Sequence, residues 1–96
     1  MSRRHYLVTY DVSDDKRRTH LFKLLEGNGD HVQYSVFFCA LNEQEKARLQ
    51  GGIAELIAPT EDQVLILDLG ASETPLETAL ACVGRPYQPA VRVQIV

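Results

Sequence analysis

The chain has 96 residues, 45% of them hydrophobic and 24% charged, with a formal net charge of −3. That is the size of one small domain. No segment approaches the roughly 20 apolar residues of a membrane helix, and the acidic balance argues against coating nucleic acid through bulk charge. The basic start, "MSRRHYLVTYDV", leads into an apolar run too short and too broken for a secretory leader, so the expected location is cytoplasmic. Cys39 and Cys82 form no CxxC pair, and His5, His20 and His31 follow no zinc-ligand spacing. Two buried thiols in a reducing compartment are expected. Charge is uneven. Arg3, Arg4, Lys16, Arg17, Arg18, His20 and Lys23 crowd the N-terminal third, whereas most acids follow Glu43. A basic face on an acidic protein is the expectation.

Residues 5–12 alternate and read as a strand, with Tyr6, Val8 and Tyr10 on one face. Residues 14–27 read as a helix, with Ser13 as N-cap and Asp14 and Asp15 in the first turn. Gly27 is available for a left-handed cap. Residues 31–41, "HVQYSVFFCAL", are β-branched and aromatic, so they form one long strand or two short ones broken near Ser35. Asn42 and Glu45 predict a capping box opening a helix over 43–57, with Leu49, Ile53, Leu56 and Ile57 as its buried stripe. Gly51 and Gly52 weaken that helix unless a close packing contact requires them.

"PTED" at 59–62 is a turn, and "QVLILDLG" predicts a central strand buried on both faces. Residues 71–84 have weak helical spacing. "AVRVQIV" at the end alternates strictly and reads as a strand. It pairs at an edge of its own sheet or crosses to a partner chain, and the crossing suits a domain with a thin core. The expectation is a single α+β domain over residues 1–96. If the middle strand is split, the order is ferredoxin-like βαββαβ with an extra C-terminal strand, residues from about 85 to 96 extending a partner's sheet.

Asp11 ends the first strand, although the cap of the following helix does not need it. Two readings stand. Asp11 bonds the backbone two residues on in an Asx-turn, or it is a functional carboxylate. No Ser, Cys or His stands at a spacing that supports acyl transfer. A hard divalent cation suits it better, because Mg²⁺ uses one or two carboxylates plus phosphate and water. Two copies of Asp11 on a two-fold axis would supply the pair. Arg17 and Arg18 would hold flanking phosphates. Ser35, on the same strand face as Phe37, would shape the phosphate site or be a plain surface hydroxyl above a core position.

"LVTYDVSDDKRRTHLFKLLEGNG" followed by "HVQYSVFFCAL" resembles the CRISPR-associated protein 2 family, small adaptation-stage nucleases. Both family motifs, a strand ending in Tyr-Asp-Val and a "VQ-x-SVF" strand, stand in order, and the resemblance covers residues 5–41 closely. It implies ferredoxin-fold homodimers whose C-terminal strand extends the partner's sheet. It also implies that Asp11 is the metal ligand, for Mg²⁺ or Mn²⁺, contributed once by each chain. Tyr10 precedes it in the motif, Arg17 or Arg18 holds the motif arginine position, and Ser35 and Phe37 match the "SVF" element. His31 stands where many members have arginine, which makes nucleic-acid contact weaker or pH-dependent.

The resemblance implies an endonuclease acting on single-stranded RNA or double-stranded DNA during spacer acquisition. The alternative it carries is a non-catalytic dimeric adaptor that binds DNA and bridges subunits of the CRISPR-associated protein 1 integrase. A third class, a ferredoxin-fold module for a small effector, finds no support in the residues.

Overall fold

In a computed structural model, which describes residues 2–73, 75 and 79–87, alternation along the first eight-residue strand decides which way the sheet faces. In β1 (Arg4–Asp11), Tyr6, Val8 and Tyr10 are buried, while Leu7 and Thr9 point to the other side. The chain then turns into α1 (Asp15–Glu26). Its N-cap is Asp14 and not Ser13, and the Asp14 carboxylate accepts from the Arg17 backbone N–H at 2.9 Å. An aspartate there satisfies an orphan donor and also faces the positive end of the helix dipole, which a neutral serine does less well. The expected left-handed cap is absent, since Gly27 keeps right-handed geometry at φ −73°. Asn28 caps instead, its side-chain amide donating to Leu24 O at 2.7 Å.

The middle segment is split. β2 (Asp30–Gln33) and β3 (Val36–Leu41) form a hairpin across Tyr34 and Ser35. The capping box opens α2 (Glu43–Leu56) as the sequence expects: Glu45 N–H donates to Asn42 Oδ1 at 2.8 Å, and Asn42 N–H to Glu45 Oε1 at 2.9 Å. β4 (Gln63–Ala71) follows the 59–62 turn.

The four strands are ordered β2-β3-β1-β4 with every neighbouring pair antiparallel. Both helices contribute to a single core with one side of the sheet. Leu21 and Leu25 of α1 and Leu49 and Ile53 of α2 meet Val8, Phe37, Cys39 and Leu41 there. A Cβ at Gly52 would lie 3.3 Å from Leu24 Cδ2, so this glycine stands at the helix–helix contact, whereas Gly51 faces open space.

Two further expectations fail. Among the described residues β4 is an edge strand and not a central one, and Leu65, Leu67 and Leu69 are each 46–48% exposed. A continuous apolar run therefore marks two apolar faces without saying that this chain covers both. Cys82 is exposed, and only Cys39 is buried, because residues 79–87 adopt no helix or strand to enclose it. The register places Leu7 opposite both Phe38 and Leu67, so these side chains share the sheet face away from the helices. Tyr87 returns to that face, its ring centroid 6.5 Å from that of Phe38. The strand expected at the C-terminus, residues 90–96, lies outside the described residues. No helix among them is long and apolar enough to cross a membrane.

Candidate active site

Asp11 stands at the end of an interior strand, paired in register with Gln63 of β4. Its side chain is exposed and makes no hydrogen bond or ion pair among the described residues. The Asx-turn is therefore not formed. The next residue, Val12, is buried in the core, which anchors the backbone just past the carboxylate.

The two adjacent arginines have separate partners. Arg17 reaches back to the turn before β4, where Nε donates to Asp62 Oδ2 at 2.8 Å and an Nη to Oδ1 at 3.3 Å. The Asp62 side chain is fully buried and also accepts from the Ala58 N–H at 2.8 Å. The Arg17 hydrogen bond, then that of Ala58, holds the Asp62 carboxyl below its usual range. Arg18 turns toward the β1–α1 loop. It donates to Val12 O at 3.0 Å and Ser13 O at 3.2 Å, and pairs with Asp15. It thus clamps the two carbonyls that follow Asp11.

An open groove of about 430 Å³ lies beside this loop, lined among others by Tyr10, Arg18, Phe22, Lys23, Tyr34 and Ser35. Tyr10 is nearly buried, and burial raises its phenol above the ordinary value, with Arg18 partly opposing. The phenol therefore stays protonated at neutral pH and can donate. Ser35 sits beside Tyr10, its carbonyl accepting the Tyr10 N–H at 3.1 Å. Phe37 has no exposed surface. It acts by packing, with ring centroids 6.4 Å from Tyr10, 5.3 Å from Phe22 and 4.9 Å from His31. A direct contact of Phe37 with nucleic acid has no atoms to act through in this chain. His31 is exposed, and its Nε2–H donates to the Tyr34 carbonyl at 2.7 Å; the carbonyl can only accept, so Nε2 carries the proton.

The structure thus gathers Tyr10, Arg18 and Ser35 around one groove, with His31 behind the hairpin turn; Asp11 follows Tyr10 in β1, is not among the residues lining that groove, and is tied to it only through the loop that Arg18 clamps. The fold sends Arg17 elsewhere. The basic face is also thinner than the sequence suggests. Arg3 pairs with Glu45 and Arg4 with Asp68, which leaves Lys16, His20 and Lys23 exposed on α1 without an ion pair among the described residues. Sequence reasoning missed Asp62, read only as part of a turn, because its partner is 45 positions away. It also missed Tyr34, 94% exposed at the hairpin tip with φ +28°.

No cluster of three or more His, Cys, Asp or Glu side chains that would hold a metal occurs among the described residues. Asp11 offers a free, hard oxygen donor of the type Mg²⁺ takes. A cation that keeps most of its waters and a substrate phosphate needs only one or two such carboxylates. One chain therefore fits a share of such a site.

Comparison with known proteins gives the family. The family described as CRISPR associated protein Cas2 matches residues 4–74. A CRISPR-associated endoribonuclease Cas2 of Geobacter sulfurreducens is 34% identical over 91 residues, covering 95% of both chains. A Cas2 endoribonuclease of Rhodospirillum rubrum is 36% identical over 87 residues, covering 91% of this chain and 84% of the relative. Among solved structures, a hypothetical protein from Thermus thermophilus superposes with a TM-score of 0.77 at 31% identity, covering 92% of this chain and 99% of its own. Streptococcus pyogenes Cas2 does so at 0.73 and 28%, covering 83% and 99%. With the strand order and the family match over most of the length in agreement, the chain belongs to the CRISPR-associated protein Cas2 family.

Proposed function

We propose that this chain is a metal-dependent endonuclease that hydrolyses phosphodiester bonds, with RNA favoured because curated relatives carry endoribonuclease names, and that it serves CRISPR spacer acquisition in the cytoplasm. One observation carries the reading: an exposed carboxylate with no partner among the described residues, Asp11, at the end of an interior strand whose following loop is clamped by Arg18. A carboxylate held on a rigid strand and left unused by the fold is preorganised to bind something else.

The reading extends to a ferredoxin-like homodimer. The βαββαβ order with strands β2-β3-β1-β4 supports the first part. The half-exposed leucines of β4 and its free edge among the described residues support the second. Each chain would contribute one Asp11 to a shared Mg²⁺ or Mn²⁺. Such an ion, when bound, supplies Lewis-acid polarisation of a phosphoryl oxygen and a hydroxide near neutral pH. The chain's own residues do the rest: Arg18 keeps the loop after Asp11 in place, Lys23 offers charge to a neighbouring phosphate, and the protonated Tyr10 phenol is a hydrogen-bond donor at the groove.

The second reading is the adaptor that binds DNA and docks the CRISPR-associated protein 1 integrase without cutting. The single carboxylate per chain favours it, since no fuller ligand set forms among the described residues. A parallel nuclease assay separates the two. Wild type and Asp11→Ala are incubated with single-stranded RNA and double-stranded DNA, in Mg²⁺, in Mn²⁺ and in chelator. Cleavage that needs metal and drops to background in the variant is expected. Equal cutting by both proteins, or silence from both, would leave the adaptor as the better account.

A further inference from the structure

The two-residue turn between β2 and β3 demands a positive φ, and the sequence puts a bulky residue there. Tyr34 takes φ +28°, in the region that suits glycine or asparagine and not a bulky aromatic residue. The residue is 94% exposed, so packing does not compensate. The turn is nevertheless pinned from both sides. His31 Nε2–H holds the Tyr34 carbonyl at 2.7 Å, and Tyr10 N–H holds the Ser35 carbonyl at 3.1 Å. His31 itself is wedged between Phe22 and Phe37, with both ring centroids 4.9 Å away. A large ring on a fixed stalk, at the lip of a groove, is how a contact residue is presented and not how a turn is stabilised.

The groove below indicates what the ring would contact. Its wall combines aromatic surface from Tyr10 and Phe22 with the cations Arg18 and Lys23. Lys23 has no ion pair among the described residues, and Arg18 spends only part of its five N–H donors on Val12, Ser13 and Asp15. Aromatic faces interleaved with cations match a nucleotide, whose base is flat and whose phosphate is anionic. A paired base keeps its faces inside the stack and cannot offer them. Glu26, also in the wall, disfavours phosphate at its own place and leaves the Arg18–Lys23 side for the backbone.

We propose that Tyr34 is a base-stacking platform for one unpaired nucleotide, whose phosphate lies toward Arg18 and Lys23 beside the Asp11 loop. This rests on the nucleic-acid reading above and deepens it: it names the residue that discriminates an unpaired strand from a duplex.

The test is binding in chelator, so that cleavage and metal play no part. Wild type, Tyr34→Phe, Tyr34→Ala and Tyr34→Gly are titrated against a single-stranded oligonucleotide carrying the fluorescent base 2-aminopurine, and against the same strand in a duplex. The protein has no Trp, so the fluorescence of that base reports stacking without interference. Wild type and Tyr34→Phe are expected to quench it and to bind the single strand alike. Tyr34→Ala and Tyr34→Gly are expected to lose the quenching and bind the single strand roughly ten-fold more weakly, with duplex binding unchanged. Tyr34→Gly should also melt at or above the wild-type temperature, because glycine relieves the positive φ. Binding lost without stability lost cannot come from a structural role. Single-strand binding and quenching unchanged in Tyr34→Ala would overturn the platform while leaving the nuclease reading intact. So would equal losses on single strand and duplex, or an altered sedimentation coefficient in both small variants. If wild type binds neither strand, the platform and the nucleic-acid reading fail together.

Discussion

Arg17 and Arg18 are neighbours in the first turn of α1, yet their guanidinium groups leave the helix in different directions. Arg17 neutralises the buried Asp62 and ties the helix start to the turn before β4; Arg18 holds the carbonyls of Val12 and Ser13. A buried carboxylate without its cation is costly, so Arg17→Ala is expected to lower stability, while Arg18→Ala should chiefly loosen the Asp11 loop. The Asp62 pair also has a pH signature. Its folded pKa is depressed by the Arg17 and Ala58 hydrogen bonds. The stability it contributes is present above the unfolded value of about 3.9 and is lost as pH falls through the folded value. Chemical denaturation should show Asp62→Asn less stable than wild type at pH 7, with the gap closing at progressively lower pH below about 4. Parallel curves would remove Asp62 from the acid response. The two thiols differ as sharply. Burial, with a smaller contribution from Asp30, pushes Cys39 up to about 11, whereas Cys82 is exposed. An aromatic disulfide reagent at pH 8 should modify Cys82 within the native protein and Cys39 only after unfolding. Two thiols reacting at one rate would contradict the burial of Cys39.

At the scale of elements, glycines sort into those the packing requires and those it does not. A Cβ at Gly29 would sit 2.3 Å from Phe38 O and 2.5 Å from Cys39 Sγ, in the close approach between the α1–β2 connection and β3. Backbone and a buried sulfur cannot move aside, so Gly29→Ala should destabilise by about 1–3 kcal/mol. Gly51 lies within α2 with nothing within 4 Å of its missing Cβ. Gly51→Ala should stabilise by about 1 kcal/mol through helix propensity alone. Thermal melts of the two variants check both signs, and a destabilised Gly51→Ala would mean that α2 meets something that these residues do not include. Capping was readable from sequence where the motif is reciprocal, as in Asn42 and Glu45. It was misread at α1, where Ser13 and Asp14 both qualify locally and only the path of the backbone out of β1 decides between them.

For the whole molecule, the telling feature is a sheet with one face under two helices and the other lined by Leu7, Phe38, Leu65 and Leu67. Apolar side chains left half-exposed along an edge strand are stabilised when a second surface covers them, at about 25 cal/mol per Å² of apolar area removed from water. Within the proposed dimer, Leu67→Glu should shift the protein toward monomer in sedimentation velocity while its far-UV spectrum stays native. Wild type that is monomeric at high concentration would sink the dimer, and with it the sharing of a metal between two Asp11 side chains.

The sequence by itself determined the alternation of β1, the capping box of α2 and the motif residues around Asp11, and it narrowed the middle segment to one long strand or a pair broken near Ser35. Each depends on residues within a few positions of one another, where side-chain period and backbone preference act directly. Only the tertiary structure decided the long-range ones. It placed the most apolar strand at the edge among the described residues, because burial belongs to the assembled sheet and not to the strand. It gave Arg17 to Asp62 and left Arg18 beside the groove, because a partner 45 residues away leaves no trace in local spacing. It also raised Tyr34 out of the hairpin into water, because the direction of a turn residue follows from register and backbone dihedral angles and not from its neighbours in the chain.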